Sequence, residues 1–201
     1  MGRKIVRLNE PVQPTSPVPR MSASTPQPLA DHALVAAYQN GDEQAATELV
    51  RRHAAAIGRF LYSSGASTAE VDDLVQETLF RAFRALDGWR REASFRSWLF
   101  TISSNLLKDE FRKRKGRQIF SIDDRDLPDR SDPAGDFAAK EAEERLRQGL
   151  LQLPRLQREV FLLRAQEGID YEGIARALGT TPGAARVHYH HAVKRLKELV
   201  R

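Results

Sequence analysis

Hydrophobic positions in this chain recur at intervals of three and four, the spacing of one helix face. Between residues 68 and 86 the stripe is Val71, Val75, Thr78, Ala82 and Leu86, flanked by Leu74 and Leu79. Between 94 and 115 it is Phe95, Leu99, Ile102 and Leu106. Further on, Tyr171, Ile174, Ala175 and Leu178 form a third stripe, and Ala185, Tyr189, Ala192, Leu196 and Leu199 a fourth. The predicted helices are 31–40, 43–63, 68–86 and 94–115, with a further helical part over 138–201. No strand pair and no internal repeat is visible. The expected fold class is all-α, with two small helical domains joined by a flexible acidic linker.

Prolines place the boundaries. Six of the ten fall in residues 1–29 and none between Ala30 and Leu127. The first segment has few large apolar residues and reads as a disordered Pro-rich tail. Residues 30–115 form the N-terminal helical domain. Residues 116–137 carry Asp123, Asp124, Asp126, Asp129, Asp132 and Asp136 with Pro128, Pro133 and Gly135, which reads as an acidic linker. Residues 138–201 form the C-terminal domain.

That domain contains a helix-turn-helix pattern. Asp170 is a candidate N-cap for the helix carrying Tyr171 to Leu178, and Gly179 follows as a C-terminal stop. Thr181-Pro182 then supplies an N-cap and a proline at the first position of a new helix. The face opposite its apolar stripe holds Arg186, Val187, His190, His191, Lys194 and Lys197. Cations neutralise phosphates, Arg and His bond to base edges, and Val can meet a thymine methyl, so this face suits duplex DNA. A solvated basic helix is the plainer alternative. His188 and His191 share metal-pair spacing, but no cysteine or nearby acid completes a site, and no metal is expected.

Two faces of the N-terminal domain stand out. One carries Asp73, Gln76, Glu77, Phe80 and Arg84, an exposed aromatic among charges. Either another segment covers Phe80, or the face docks a protein partner. The other is a row of Trp98, Thr101, Asn105, Lys108 and Arg112 beside the Phe95 stripe. Bases stack on aromatics, phosphates meet cations and Asn can bond an extruded base, so the row suits single-stranded nucleic acid. Residues 108–117 hold six Lys/Arg against two acids. A half-buried Trp98 and a solvated basic helix end is the alternative. The preceding loop, from Asp87 to Ser94, adds Trp89, Arg90 and Arg91. It either presents a base pocket or simply packs Trp89.

Composition narrows the classes. The 201 residues carry 32 Lys/Arg and 27 Asp/Glu, a net charge of +5, with 41% hydrophobic residues. That supports one or two small cores and leans weakly toward an anionic partner. There are no cysteines, which excludes disulfides, thiolate metal sites and a cysteine nucleophile. No apolar run approaches the roughly 18 residues that span a bilayer, and no secretory signal is visible, so the expected compartment is the cytoplasm.

These residues resemble bacterial RNA polymerase sigma factors of the extracytoplasmic-function (ECF) type, in the sigma-70 superfamily. The resemblance runs from about Leu34 to Leu199. It rests on Asp72-Asp73-Leu74-Val75-Gln76-Glu77-Thr78, Ala82-Phe83-Arg84-Ala85-Leu86, Phe95-Arg96-Ser97-Trp98-Leu99 with Ile102 and Asn105, and Tyr171-Glu172-Gly173-Ile174-Ala175. It implies that Asp73, Gln76, Glu77 and Phe80 bind core RNA polymerase. It implies that Trp89, Arg90, Trp98, Thr101, Asn105, Lys108 and Arg112 serve minus-ten recognition and melting. Arg164, Arg186, Val187, His188, His190, His191 and Lys194 then face the minus-thirty-five element. The family usually has Ser where Val187 stands, Arg at His188 and His191, and Gly at Arg91.

The expected function is a promoter-specificity subunit that binds core polymerase, recognises two promoter elements, stabilises melted DNA and initiates transcription of a regulon. No catalytic site or cofactor is expected. The implied partners are core RNA polymerase, promoter DNA and a cognate anti-sigma factor, with no membrane insertion and a monomeric chain. Three rival classes are an independent helix-turn-helix regulator, which would bind duplex DNA without polymerase, a nucleic-acid enzyme, and an anti-sigma-type or adaptor protein, which would share a docking surface but not need the basic recognition helix. Nothing in the motif inventory supports the enzyme: there are no clustered metal-binding carboxylates and no Gly-rich phosphate loop.

Overall fold

The computed structural model describes residues 29–120 and 137–199, apart from the side chains of 116–120 and 137–140. The expected tail, but for its last residue, and most of the expected linker lie outside the described residues. Among the described residues there are eight α-helices. In chain order they are α1 (Asp31–Gln39), α2 (Glu43–Ser64), α3 (Thr68–Arg84), α4 (Phe95–Phe120), α5 (Phe137–Leu151), α6 (Arg155–Phe161), α7 (Tyr171–Leu178) and α8 (Pro182–Leu199). A short 3-10 turn follows α3 at Leu86–Gly88, and α6 runs on into a π-helical turn at Leu162–Gln166. No strand occurs among the described residues.

The helix starts follow the local chemistry. Asp42 caps α2 by accepting from the Gln44 N–H at 2.9 Å. At α3 the Glu70 carboxylate accepts from both the Ser67 N–H (2.9 Å) and the Ser67 hydroxyl (2.6 Å). Asp170 caps α7 through the Gly173 N–H at 2.7 Å. Thr181 Oγ1 accepts from the Ala184 N–H at 3.1 Å at the start of α8. Gly179 ends α7 in the left-handed region with φ 66°, as its position after the last apolar residue predicts. Helix α4 continues to Phe120, beyond the expected end at 115. No proline interrupts it there, since the next is Pro128.

Helices α1 to α4 pack around Leu49, Ile57, Phe60, Leu61, Leu79, Leu99 and Phe100. In α3 the deepest side chains are Leu74, Thr78, Leu79 and Ala82, while Val71 and Val75 are only half-buried. The buried face is therefore rotated toward the residues expected to flank it. The C-terminal helices bury Leu150, Leu153, Val160, Leu162, Leu163, Ile174, Ala185, Ala192 and Leu196. Leu199, expected in the same stripe, is 39% exposed.

The two sets of helices share one continuous core. Helix α7 lies on α4, and α5 and α6 lie on α2. Close to this seam, Ser104 of α4 donates to the fully buried Glu159 of α6 at 2.8 Å. Arg155 donates to the other Glu159 oxygen at 3.0 Å. Burial pushes the Glu159 carboxyl above its ordinary value, against the pull of Arg155, Ser104 and Arg158. Burial also pulls the Arg158 guanidinium down. A second carboxylate, Glu167, has a side chain only 1% exposed and pairs with Arg96 of α4, with Arg59 of α2 at 3.9 Å.

His53 of α2 is buried, bonded to Asp31 at 2.8 Å and edge-on to Phe95. Burial holds its imidazole below the ordinary 6.5, against the Asp31 carboxylate, and Arg96 and Arg52 push the same way as burial. Because the folded value is depressed, this contribution to stability is present above about 6.5 and lost as pH falls through the folded value. Thermal unfolding should show Tm falling from pH 7.5 toward pH 5. His53→Gln should flatten that slope, whose limit is about 1.4 kcal/mol per pH unit.

The seam makes a second prediction. Glu167→Ala leaves Arg96 without its carboxylate and should weaken the seam by about 1–2 kcal/mol, given that Arg96 is partly solvated. Small-angle scattering of the free chain should then give a larger radius of gyration, with unchanged helicity by circular dichroism.

Candidate polymerase and nucleic-acid surfaces

Three exposed surfaces remain once the core and the seam are formed. The first lies on α3. Asp73, Gln76 and Phe80 are exposed, and Phe80 is 55% so. No described segment covers Phe80, and its one ring partner is the Arg84 guanidinium 5.5 Å from the centroid. Glu77 is half-buried and accepts from Arg81 at 2.6 Å. Beside this face an open groove of about 750 Å³ runs between α3 and α4. Its walls include Asp73, Glu77, Arg81, Asp109 and Arg112. Its charges are mostly paired, with Arg112 3.4 Å from Asp109 and Lys113 3.4 Å from Glu110.

The second surface is the α4 row. Trp98 and Thr101 are half-buried, and Asn105, Lys108 and Arg112 are exposed. Fourteen residues separate Trp98 from Arg112, so the row is about 21 Å long. Trp98 lies against Trp89 at 6.3 Å and 27°, and both contact Phe95. Trp89 donates its indole N–H to the Ala93 carbonyl at 3.3 Å, closing the loop before α4. Arg90 and Arg91 are exposed on that loop. Trp98 is thus half-buried against Trp89 and Phe95, while Asn105, Lys108 and Arg112 face out. Arg112 belongs equally to the groove beside α3, which its position in the row did not reveal.

The third surface is on α8. Arg186, Val187, His190, His191 and Lys194 are exposed, and Val187 is 52% so. His188 is half-buried with its Nδ1 enclosed and unbonded. His190 and His191 sit 6.3 Å apart, ring to ring. No group of three or more potential metal ligands occurs among the described residues. Arg164, twenty-two positions before Arg186, converges on the same place. Both guanidiniums lie over the Tyr171 ring, at 5.0 and 5.1 Å. Arg164 also donates to the Ile169 carbonyl at 3.1 Å. Tyr171 is edge-on to Tyr189, which stacks on Phe161. Tyr171 reads in the sequence as one more apolar position of α7, and its platform role depends on residues outside that helix.

Comparison with known proteins supplies the family. The model for Sigma-70 region 2 matches residues 49–117, and that for Sigma-70, region 4 matches residues 143–196. The RNA polymerase sigma factor NccH of Alcaligenes xylosoxydans xylosoxydans is 32% identical over 178 residues, covering 86% of this chain and 96% of NccH. This chain belongs to the ECF RNA polymerase sigma factors. The ECF sigma factor EcfG of Rhodopseudomonas palustris is 33% identical over 70% of the chain and 77% of its own length. Among solved structures, CnrH in complex with the cytosolic domain of CnrY superposes with a TM-score of 0.67 at 29% identity, covering 86% of this chain and 97% of CnrH. RpoE of Bartonella quintana, solved with the anti-sigma factor NepR, gives 0.66 at 25% identity, over 77% of this chain and 95% of that one. This sigma factor therefore directs promoter-specific transcription initiation with core RNA polymerase. No described helix is long and apolar enough to cross a membrane.

The Tyr171 platform generates a test. Tyr171→Ala frees both guanidiniums and should weaken binding to promoter duplex about tenfold, the scale of one or two cation–π contacts. Tyr171→Phe keeps the ring and should bind within about twofold of the parent. Fluorescence anisotropy on duplex DNA measures both.

Proposed function

We propose that the two helical sets divide the work of one promoter-specificity subunit. Residues 30–115 dock core RNA polymerase and hold the melted minus-ten element, and residues 138–201 read the minus-thirty-five duplex. On this reading Asp73, Gln76, Glu77 and Phe80 meet the polymerase, with Phe80 as an aromatic anchor in a polar rim. Trp89, Arg90, Trp98, Thr101, Asn105, Lys108 and Arg112 hold the unpaired strand. Arg164, Arg186, Val187, His188, His190, His191 and Lys194 face the duplex. The observation that carries this is the exposed Asn105–Lys108–Arg112 row beside the Trp89–Trp98 pair, a combination that a duplex-only regulator does not need.

The chain is a binding protein with no active site of its own, working in the cytoplasm. Its work is done by binding free energy. Cations attract phosphates, and the aromatic and amide groups offset an unstacking cost of a few kcal/mol. Geometry adds a requirement. Helix α4 touches α7, and α7 packs on α8. At about 8–10 Å per helix pair, α8 lies within roughly 20 Å of α4. The two promoter elements are about 25 base pairs apart, or about 85 Å at about 3.4 Å each. The seam must therefore part when both elements are engaged, with the segment around residues 121–136 as the tether. The partners of CnrH and of Bartonella RpoE in their solved complexes support an anti-sigma factor as the agent that holds this chain inactive.

Run-off transcription with purified chain and core polymerase, on the promoter region of its own operon, tests the assignment. Initiation should require the chain. Phe80→Ala should weaken polymerase binding at least tenfold, a typical anchor loss. Asn105→Ala should lower promoter melting and Arg186→Ala duplex recognition, each by about 1–3 kcal/mol. Absence of initiation across a pool of genomic promoters, with tight polymerase-free duplex binding, would replace this reading by the independent regulator.

A further inference from the structure

Arg91 has φ 60°, and among the described residues it is the one non-glycine residue in the left-handed region. The Cβ of any L-residue there crowds the following carbonyl oxygen, a cost that glycine avoids. The strain persists only where both flanks are held. They are held here. On one side the Trp89 N–H donates to the Leu86 carbonyl at 3.0 Å, and the Trp89 indole bridges to Ala93. On the other, the Ser97 N–H donates to Ser94 Oγ at 3.1 Å and the Trp98 N–H to the Ser94 carbonyl at 3.0 Å. Arg90, Arg91, Glu92 and Ala93 are thus pinned between a stacked tryptophan and the first turn of α4.

Among the described residues nothing repays this cost through the Arg91 side chain. It is exposed and takes part in no ion pair, hydrogen bond or ring contact with another described residue. Glycine would make the same turn without strain. An arginine held in a costly backbone, with no partner among the described residues, is placed for a contact beyond the folded helices. The surroundings say which. Arg90 lies next to it, the Trp89–Trp98 pair is one residue away, and Asn105, Lys108 and Arg112 continue the line along α4. We propose that Arg91 is a further DNA-binding residue of this sigma factor, and that its guanidinium takes a backbone phosphate of the melted promoter strand. The inference rests on the reading of the α4 row as the single-strand surface and adds a residue that this reading did not include. Phosphate is favoured over a base edge because Arg91 stands on a rigid turn beside a second cation, an arrangement that tracks a backbone.

The backbone strain allows a test with opposite signs in two readouts. Arg91→Gly removes both the strain and the cation. Arg91→Ala removes the cation and keeps the strain. Holoenzyme is assembled from the full chain and core polymerase, then titrated with fork-junction DNA from the chain's own operon promoter and with a mixed-sequence single-stranded oligonucleotide. Arg91→Gly should raise the Tm of the free chain by about 2–4 °C. Arg91→Ala should leave Tm within about 1 °C. Both should weaken fork-junction binding about tenfold and lower the slope of log affinity against log salt by about one. Arg91→Lys should keep most of the affinity and the full slope.

Unchanged affinity and slope in Arg91→Gly and Arg91→Ala would overturn the proposal, and the gain in Tm excludes misfolding as an excuse. Arg91→Lys as weak as Arg91→Ala would overturn the phosphate assignment, because a point charge should suffice for phosphate. Trp98→Ala and Asn105→Ala on the same DNAs separate the two levels of the argument. If they bind weakly while Arg91→Gly does not, only the Arg91 inference falls. If they too bind as the parent does, the single-strand surface itself falls.

Discussion

The buried carboxylate of Glu159 is the interaction on which the arrangement of the two helical sets depends. A charge taken fully out of water costs several kcal/mol unless partners surround it. Arg155 comes from the same helix, one turn before, but the bond from Ser104 comes from α4. Helix α6 can therefore bury Glu159 at this depth only while α4 is present. Glu167, eight residues further on, repeats the logic, with Arg96 and Arg59 as the partners from the other side. Hydrophobic contact supplies most of the adhesion, since Phe100, Leu107 and Ile174 are all fully or almost fully buried. The two carboxylates set register, because an apolar face alone tolerates sliding and a bonded carboxylate does not.

Helix α4 consequently has three faces with three duties. One holds Phe95, Leu99, Ile102 and Leu106 against α2 and α3. A second holds Ser97 beside Gly173 of α7 and Ser104 on Glu159 of α6, with Phe100 edge-on to Phe60 of α2. Only the remaining arc, from Trp98 to Arg112, is left for an outside partner. The small serines on the second face let the α7 backbone come close. This is why α4 is the central element of the fold as well as the bearer of the exposed row from Trp98 to Arg112.

Much of this was legible in the residues. The caps at Ser67, Asp170 and Thr181, the stop at Gly179 and the absence of proline from Ala30 to Leu127 place the ends of α1, α2, α3 and α7 and the start of α8 to within a few residues, whereas α4 runs on past its expected end and α5 and α6 were not separated. The exposed rows on α3, α4 and α8 follow from counting around each helix, because exposed polar faces are what periodicity leaves over. The seam was not legible. Ser97, Ser103, Ser104, Glu159 and Glu167 are polar, and nothing local distinguishes a serine or glutamate that will be buried by a distant helix from one that will be solvated. Tyr171 escaped for a related reason, since its value lies in Arg164 and Arg186 meeting over it. Arg91 escaped because residue preference assigns left-handed turns to glycine, and the flanking bonds that force the turn are tertiary.

Gly173 sets how finely the closed contact is balanced. A Cβ placed there would lie 2.8 Å from Ser97 Oγ, Ile169 Cγ2 and Asp170 Oδ1 at once. The Ser97 hydroxyl can rotate aside, but the Asp170 oxygen is committed to the α7 cap and Ile169 to the core. One methyl group is therefore a wedge at the line where α4 and α7 meet. On the proposed reading, in which the two helical sets part at the promoter, a single codon here shifts the balance of closed and parted forms without touching any residue proposed to read DNA. The threshold for engaging a promoter would in that sense be inherited separately from the choice of promoter.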